Sequence, residues 1–191
     1  MRRYAIIAIR LFLGITFFSS GMGKLTHGDF PGFIGPVWLE ERLAQYGLAF
    51  FARFVAWSQV GVGLLLLSQR FATLGAVMLV PMLINILVVT ISLQWRGTPY
   101  VNAVLLAMNL VLLAADARKL RPLFTESPAS VPLTPLVGVS PRADALVVAG
   151  LVCGSIAPML YSVHRIATFT VVGLALSLFI AAAVLRRKSR A

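Results

Sequence analysis

The sequence predicts an all-α integral membrane protein: a four-helix transmembrane bundle followed by a C-terminal two-helix transmembrane hairpin, six spans in all, with a short interfacial helix in the first outer loop. Three observations carry this. Of 191 residues, 59% are hydrophobic and only 12% charged, where a soluble domain carries about 25% charged residues. The mean hydropathy is +0.91. The apolar residues also fall in runs of about 20, the length that crosses a hydrocarbon core as a helix. This composition excludes a soluble globular enzyme and a disordered chain. A net charge of +11 would suit nucleic acid on a soluble protein, but here the 17 Lys and Arg lie between and beside apolar runs. They read as membrane orientation, so the expected partner is the lipid bilayer and not nucleic acid.

The first run, Tyr4 to Lys24, follows Arg2 and Arg3. Its basic start and the small residues Ser19, Ser20 and Gly21 also fit a secretory signal, but Arg10 inside the stretch and a regular spacing of small residues favour a resident span. The outer connection, Leu25 to Gly47, carries Pro31, Pro36, Phe30, Phe33, Trp38 and Tyr46 around Glu40, Glu41 and Arg42. That is the composition of a short helix lying in the interface after a Pro/Gly-rich turn. Phe50 to Ser68, Thr73 to Leu93 and Tyr100 to Ala115 supply three more spans. The segment 121–142, with Pro122, Pro128, Pro132, Pro135 and Pro141, reads as a cytoplasmic linker. It divides the four-span unit, 1–120, from 143–191, where Asp144 to Leu160 and Ile166 to Leu185 form the hairpin ahead of a basic tail.

Orientation follows from the connections, because Lys and Arg are retained on the cytoplasmic side. One face collects Arg2, Arg3, Arg70, Arg118, Lys119, Arg121, Arg142, Arg186, Arg187, Lys188 and Arg190; the other holds Lys24, Arg42, Arg53, Arg96 and Arg165. Both termini are therefore expected in the cytoplasm, as an even number of spans allows.

Positions spaced alternately by four and three share a helix face. In the first span that spacing selects Arg10, Gly14, Phe17, Gly21 and Lys24, in the second Ala52, Ala56, Gln59, Gly63 and Leu66, and in the fourth Asn102, Leu105, Asn109, Leu112 and Asp116. The third contributes Pro81, Asn85 and Ser92. Hydrocarbon offers no hydrogen bonds and small residues let helices approach, so these faces are expected to turn toward one another around a partly polar interior. Arg10 and Asp116 lie on the same side of the membrane, within reach of an ion pair; snorkelling to lipid phosphates and contact with a ligand are the competing readings for Arg10. Gln59, Asn85, Asn102 and Asn109 either hydrogen-bond between helices or line a pocket for a polar headgroup such as that of a quinone or a lipid. The candidate ligand-binding residues are Arg10, Gly14, Gly21, Lys24, Gln59, Asn85, Asn109 and Asp116.

Cys153 is the single cysteine, which excludes an intramolecular disulfide, CxxC redox chemistry and thiolate zinc or iron–sulfur sites held by this chain alone. Beside Gly150 and Gly154, which form a GxxxG, it reads as a buried small residue. His27 and His164 fall in different outer connections and read as unrelated loop histidines. There is no Walker motif, HExxH, GxSxG or Gly-rich nucleotide loop. No catalytic residue and no metal ligand is assigned, and self-contained catalysis is not expected.

The run RLFLGITFFSSGMGKL, Arg10 to Leu25, followed by an aromatic-rich outer loop, resembles the opening helix of the DoxX family of small bacterial membrane proteins. Gln59, Gly61 and Gly63, the turn at Arg70 and the stretch from Asn102 to Asp116 fit the same pattern, so the resemblance covers about residues 4 to 120. It implies a four-helix bundle in the bacterial cytoplasmic (inner) membrane. It also implies association with quinone-linked or thiol and oxidative-stress redox systems, in which a soluble or membrane redox subunit often carries the chemistry. A glutamate often stands in the family where this chain has Gln59, which weakens any proton-handling role. The last two spans are an addition to a four-span member. The leading expectation is a partner-dependent membrane subunit, an oxidoreductase component if it belongs to an enzyme, whose interior holds a quinone or lipid headgroup. A quinone is the candidate cofactor, none is expected to be covalent, and a second copy of the chain is a further candidate partner. A small-solute or lipid transporter and a ligand-free scaffold or assembly factor are the rival readings; against transport, Pro81 is the one proline well inside the first four spans and no inverted repeat is evident.

Overall fold

In lipid every backbone N–H and C=O must be satisfied within the protein, so long apolar runs close into helices. The computed structural model describes residues 2–120 and 140–188. Among these, six helices are long and apolar enough to cross a membrane: α1 (Arg2–Leu25), α3 (Ala49–Leu67), α4 (Ala72–Ser92), α5 (Thr98–Ala115), α7 (Pro141–Leu160) and α8 (Arg165–Lys188). Two short helices accompany them, α2 (Leu39–Ala44) and α6 (Ala117–Leu120). The spans begin and end within three residues of the sequence reading. The short helix expected in the first loop is α2, with Glu40 and Glu41 in its first turn and Arg42 in its last, the order that complements a helix dipole. Pro141 opens α7 behind an extended Ser140, a place where its fixed φ suits the helix and its missing N–H is not needed. Residues 140–142 thus belong to the hairpin, and the remainder of the linker read at 121–142 lies outside the described residues.

Helix α1 packs on α3, α3 on α4, α4 on α5, and α5 closes on α1. The α1–α3 seam is made by glycines. A Cβ at Gly21 would stand 2.6 Å from Ala56 O, and one at Gly63 would stand 2.7 Å from Phe18 Cα. Leu13, Phe17, Val62, Leu66, Leu79, Leu83, Leu105 and Leu112 fill the middle of the ring. The sequence-derived stripes on α1, α3 and α5 all face inward, while that of α4 does not: Pro81, Asn85 and Ser92 are exposed, and the buried arc is Ala72, Gly75, Ala76, Leu79, Leu83 and Thr90. Small and leucine side chains form the closer-packing side of α4, so Asn85 and Ser92 rotate out of the seam while Thr90 stays within the buried arc.

Helices α7 and α8 pair with each other, and α7 docks on α3. The two glycines of the GxxxG serve different neighbours: a Cβ at Gly150 would meet the Phe179 ring at 2.7 Å, and one at Gly154 would meet Leu64 Cδ2 at 2.5 Å. Phe18, Met22, Val60 and Leu64 of the bundle share a core with Val147, Ala157, Val172 and Phe179 of the hairpin. Cys153 is half-buried rather than buried, because Gly150 and Gly154 take the contact faces and a neighbouring residue lies about 100° round the helix.

Charges fasten the hairpin at both ends. At the end carrying the termini, Arg186 donates to Asp144 at 2.8 Å and Arg70 pairs with the same carboxylate at 3.3 Å. At the opposite end, Asp29 accepts from the Tyr161 hydroxyl and pairs with Arg165 at 3.3 Å, and the Phe30 ring stacks on Phe169 at 5.5 Å.

Candidate headgroup cleft

The last turn of α1 places Lys24 inside the bundle, its residue only 9% exposed. Its Nζ donates to Gln59 Oε1 and to Ser20 O, each at 3.1 Å. Both acceptors are neutral. Lys24 makes no ion pair among the described residues, whereas Arg10, Arg53, Arg70, Lys119, Arg165 and Arg186 all do. A buried ammonium held only by amide and backbone oxygens leaves positive potential in a low-dielectric interior.

The loop after α1 is pinned over this lysine by one side chain of α1 and one just past its end. Ser20 Oγ accepts from Ile34 N at 3.2 Å, and Thr26 Oγ1 accepts from Phe30 N at 3.1 Å. Gly35 has φ +87°, and a Cβ there would stand 3.0 Å from Lys24 Nζ. Conformation and space therefore both call for glycine. Arg53 of α3 holds α2 through Glu40 at 2.5 Å, and Trp38 packs edge-on against Trp95 at 5.5 Å.

Beneath that roof lies a cleft of about 60 Å³. Its polar lining is Ser20, Lys24, Gln59, Asn85, Thr90, Thr98 and Asn102; Phe17, Phe51, Val55, Val89 and Trp95 supply apolar walls. Asn102 is 2% exposed, and its Nδ2 has no hydrogen-bond partner. Buried amide donors are normally satisfied; Arg10 Nε, Asn109 Oδ1 and Thr168 Oγ1 are the other buried side-chain atoms without a partner among the described residues. Lys24 and Asn102 therefore line one cleft that has no carboxylate in its lining.

The second polar cluster lies at the other end of the bundle. Asp116, just past α5, accepts from Arg10 at 2.5 Å, from Thr73 at 2.8 Å and from Lys119 at 2.8 Å. Burial works to raise the pKa of this carboxyl; the hydrogen bonds from Lys119 and Thr73 and the charges of Arg10 and Lys119 outweigh it and hold the group below its ordinary range. Of the three readings of Arg10, the structure shows the ion pair.

The eight candidate residues thus divide. Lys24, Gln59 and Asn85 share the cleft. Gly14 and Gly21 are taken up by the α1–α3 seam. Asn109 is fully buried between helices and donates to Ala76 O at 2.9 Å, and Arg10 pairs with Asp116 away from the cleft. Asn102, whose stripe was legible, joins the cleft. Thr73, Trp95 and the Gly35 roof carried no sequence signal, since each acts through a tertiary neighbour. His27 and His164 are both exposed, and no group of three or more His, Cys, Asp or Glu side chains gathers among the described residues.

Residues 5–92, a little under half of the chain, match the family model for DoxX. The chain is 29% identical over 140 residues to the uncharacterized protein YwoB of Bacillus subtilis (strain 168), an alignment covering 67% of this chain and 87% of that relative. No solved structure matches it significantly.

Proposed function

We propose, from the match of residues 5–92 to the DoxX family model, that the chain is a DoxX-type membrane protein and serves as a headgroup-binding subunit of a membrane redox system in the bacterial cytoplasmic membrane, with both termini in the cytoplasm. The observation that carries the binding role is the pairing of a buried, uncompensated ammonium with an unsatisfied amide, Lys24 and Asn102, in one apolar-walled cleft. Two such donors suit a group rich in acceptor oxygens. A quinone carbonyl and a lipid phosphate share that chemistry, and charge-assisted hydrogen bonds of this kind are the stronger ones. Redox chemistry enters with a bound quinone or with a partner subunit; this chain's own residues bind, orient and exclude water.

Native mass spectrometry of gently extracted protein tests the reading. Loss of a hydrogen bond to a charged donor removes about 1.5–3 kcal/mol, which is on the order of ten- to a hundredfold in affinity. Lys24→Met is therefore expected to release a quinone or phospholipid that the wild type retains, with Asn102→Leu weakening it further. Retention unchanged in both variants refutes the reading. A co-purifying redox subunit supports the second half of the proposal, and a quinone rather than a phospholipid in the retained fraction identifies the ligand.

A further inference from the structure

The cleft is too small for a whole ligand, and its walls differ in exposure. Sites that enclose a drug-sized molecule measure about 300–1,000 Å³, and this one measures about 60 Å³. Only an oxygen-bearing end fits within it, so the rest of the ligand must leave through a side. Phe17, Ser20 and Lys24 on the α1 side and Asn102 on the α5 side are buried. Phe51 and Val55 of α3 and Val89 of α4 are half-buried, and Asn85 of α4 is exposed.

Asn85 supplies an independent observation. It lies seven residues before the end of a membrane-spanning helix, makes no hydrogen bond among the described residues, and sits at the rim of the cleft. An amide turned toward hydrocarbon without a partner is costly. A polar group that arrives from the bilayer removes that cost.

We infer that the cleft is loaded sideways from the membrane through the gap between α3 and α4, by an amphiphile whose oxygen-bearing head reaches Lys24 and Asn102, whose polar neck meets Asn85, and whose hydrocarbon tail stays in the lipid between Val55 and Val89. This rests on the headgroup reading above and adds a route and a ligand class. A long-tailed quinone and an anionic phospholipid both satisfy it.

The test is photocrosslinking of the full chain in vesicles. Val89→photoleucine places a diazirine at the rim, and Val88→photoleucine, at a residue 56% exposed and about 100° round the helix, reports bulk lipid. One set of vesicles is phosphatidylcholine doped with phosphatidylglycerol; the other is phosphatidylcholine doped with a long-tailed benzoquinone. The expected result is enrichment of the dopant over phosphatidylcholine at Val89 relative to Val88 in at least one set, the set identifying the source. That enrichment falls about two- to tenfold in Asn85→Leu and survives in Asn85→Gln, the change expected for one lost amide hydrogen bond. Equal adducts at Val89 and Val88 in both sets, or enrichment unmoved by Asn85→Leu, overturn the lateral route. If retention in the native spectrum still depends on Lys24, the headgroup site stands while the route falls; if it does not, the site itself falls.

Discussion

Gly63 is where the α1–α3 seam is most exposed to test. A Cβ at this position would overlap Phe18 N and lie 2.7 Å from Phe18 Cα and Cβ. These are backbone or backbone-proximal atoms that no rotamer change can move, and ordinary carbon contacts lie at about 3.5–4.0 Å. Gly63→Ala therefore forces α1 back by about 1 Å, the shortfall from that spacing, along a seam that also holds Gly14 and Gly21. Overpacking of this kind costs about 1–3 kcal/mol. Gly61 on the same helix is the internal control, since a Cβ there meets nothing within 4 Å. Both substitutions gain the same helix preference of Ala over Gly, up to about 1 kcal/mol, so their difference isolates the clash. At roughly 2–4 °C per kcal/mol for a chain of this length, Gly63→Ala should melt about 2–12 °C below Gly61→Ala. Cys153, the single cysteine and half-buried, allows a thiol-reactive dye to follow unfolding in detergent. Equal melting temperatures for the two variants would refute the seam.

Two further predictions concern the ion clusters. Asp116→Asn leaves Arg10 without its counter-charge at a site where the two side chains are 13% and 9% exposed, and should cost on the order of 3 kcal/mol at neutral pH. Because the folded-state pKa of Asp116 is depressed, its contribution is present above the unfolded carboxylate value and is lost as pH falls through the folded one, so the gap to wild type must close on acidification; a gap independent of pH would contradict the network. Tyr161 has the opposite sign. Its hydrogen bond to Asp29 raises its pKa, so the stabilisation persists at neutral pH and disappears as pH rises through the raised value. Tyr161→Phe should therefore be less stable than wild type at pH 8 and converge with it in strong alkali, as read by thermal unfolding across that range.

The spans and three of the four polar faces were legible because hydrocarbon imposes one rule on every segment: length, periodicity and the inward turn of polar residues. Arg10 and Asp116 could be paired from sequence since both lie near the same membrane face on stripes of adjoining helices. The face of α4 could not be read the same way. Its burial is decided by which side packs closest, and Gly75, Ala76 and Leu83 outcompete Asn85 for the seam. The cleft itself was only half legible. Lys24, Gln59 and Asn102 announce themselves as polar residues in apolar runs, whereas the roof over them depends on Ser20 and Thr26 side chains bonding a loop 4 to 14 residues away, a contact with no periodic signature. The docking of the hairpin on α3 was likewise hidden, because Gly154 names a close approach but not the Leu64 that makes it.

The distribution of polar groups also bears on the transport reading. A solute path requires the Lys24 cluster and the Arg10 cluster to communicate through the bundle. Asn109 stands between Asn102 and Asp116, seven residues and therefore about 10 Å from each; its amide nitrogen is engaged by Ala76 O in the turns before Pro81, while its Oδ1 is buried without a partner. Leu13, Leu66, Leu79 and Leu83, each 0% exposed, form one packed core inside the bundle. A hydrated solute would have to part this layer, and no hydrogen bond offered by leucine side chains would replace the methylene packing it disrupts. A headgroup bound from the side needs none of that, since Lys24, Gln59 and Asn85 already meet at one end. Those three residues fall within the DoxX-matched segment 5–92, while the hairpin that lies beyond it braces the roof: Tyr161 and Arg165 hold Asp29, and Phe169 holds Phe30, one turn of loop before Ile34 and Gly35 close over the lysine. The added spans thus act on the cleft through the loop that covers it, without contributing a residue to its lining.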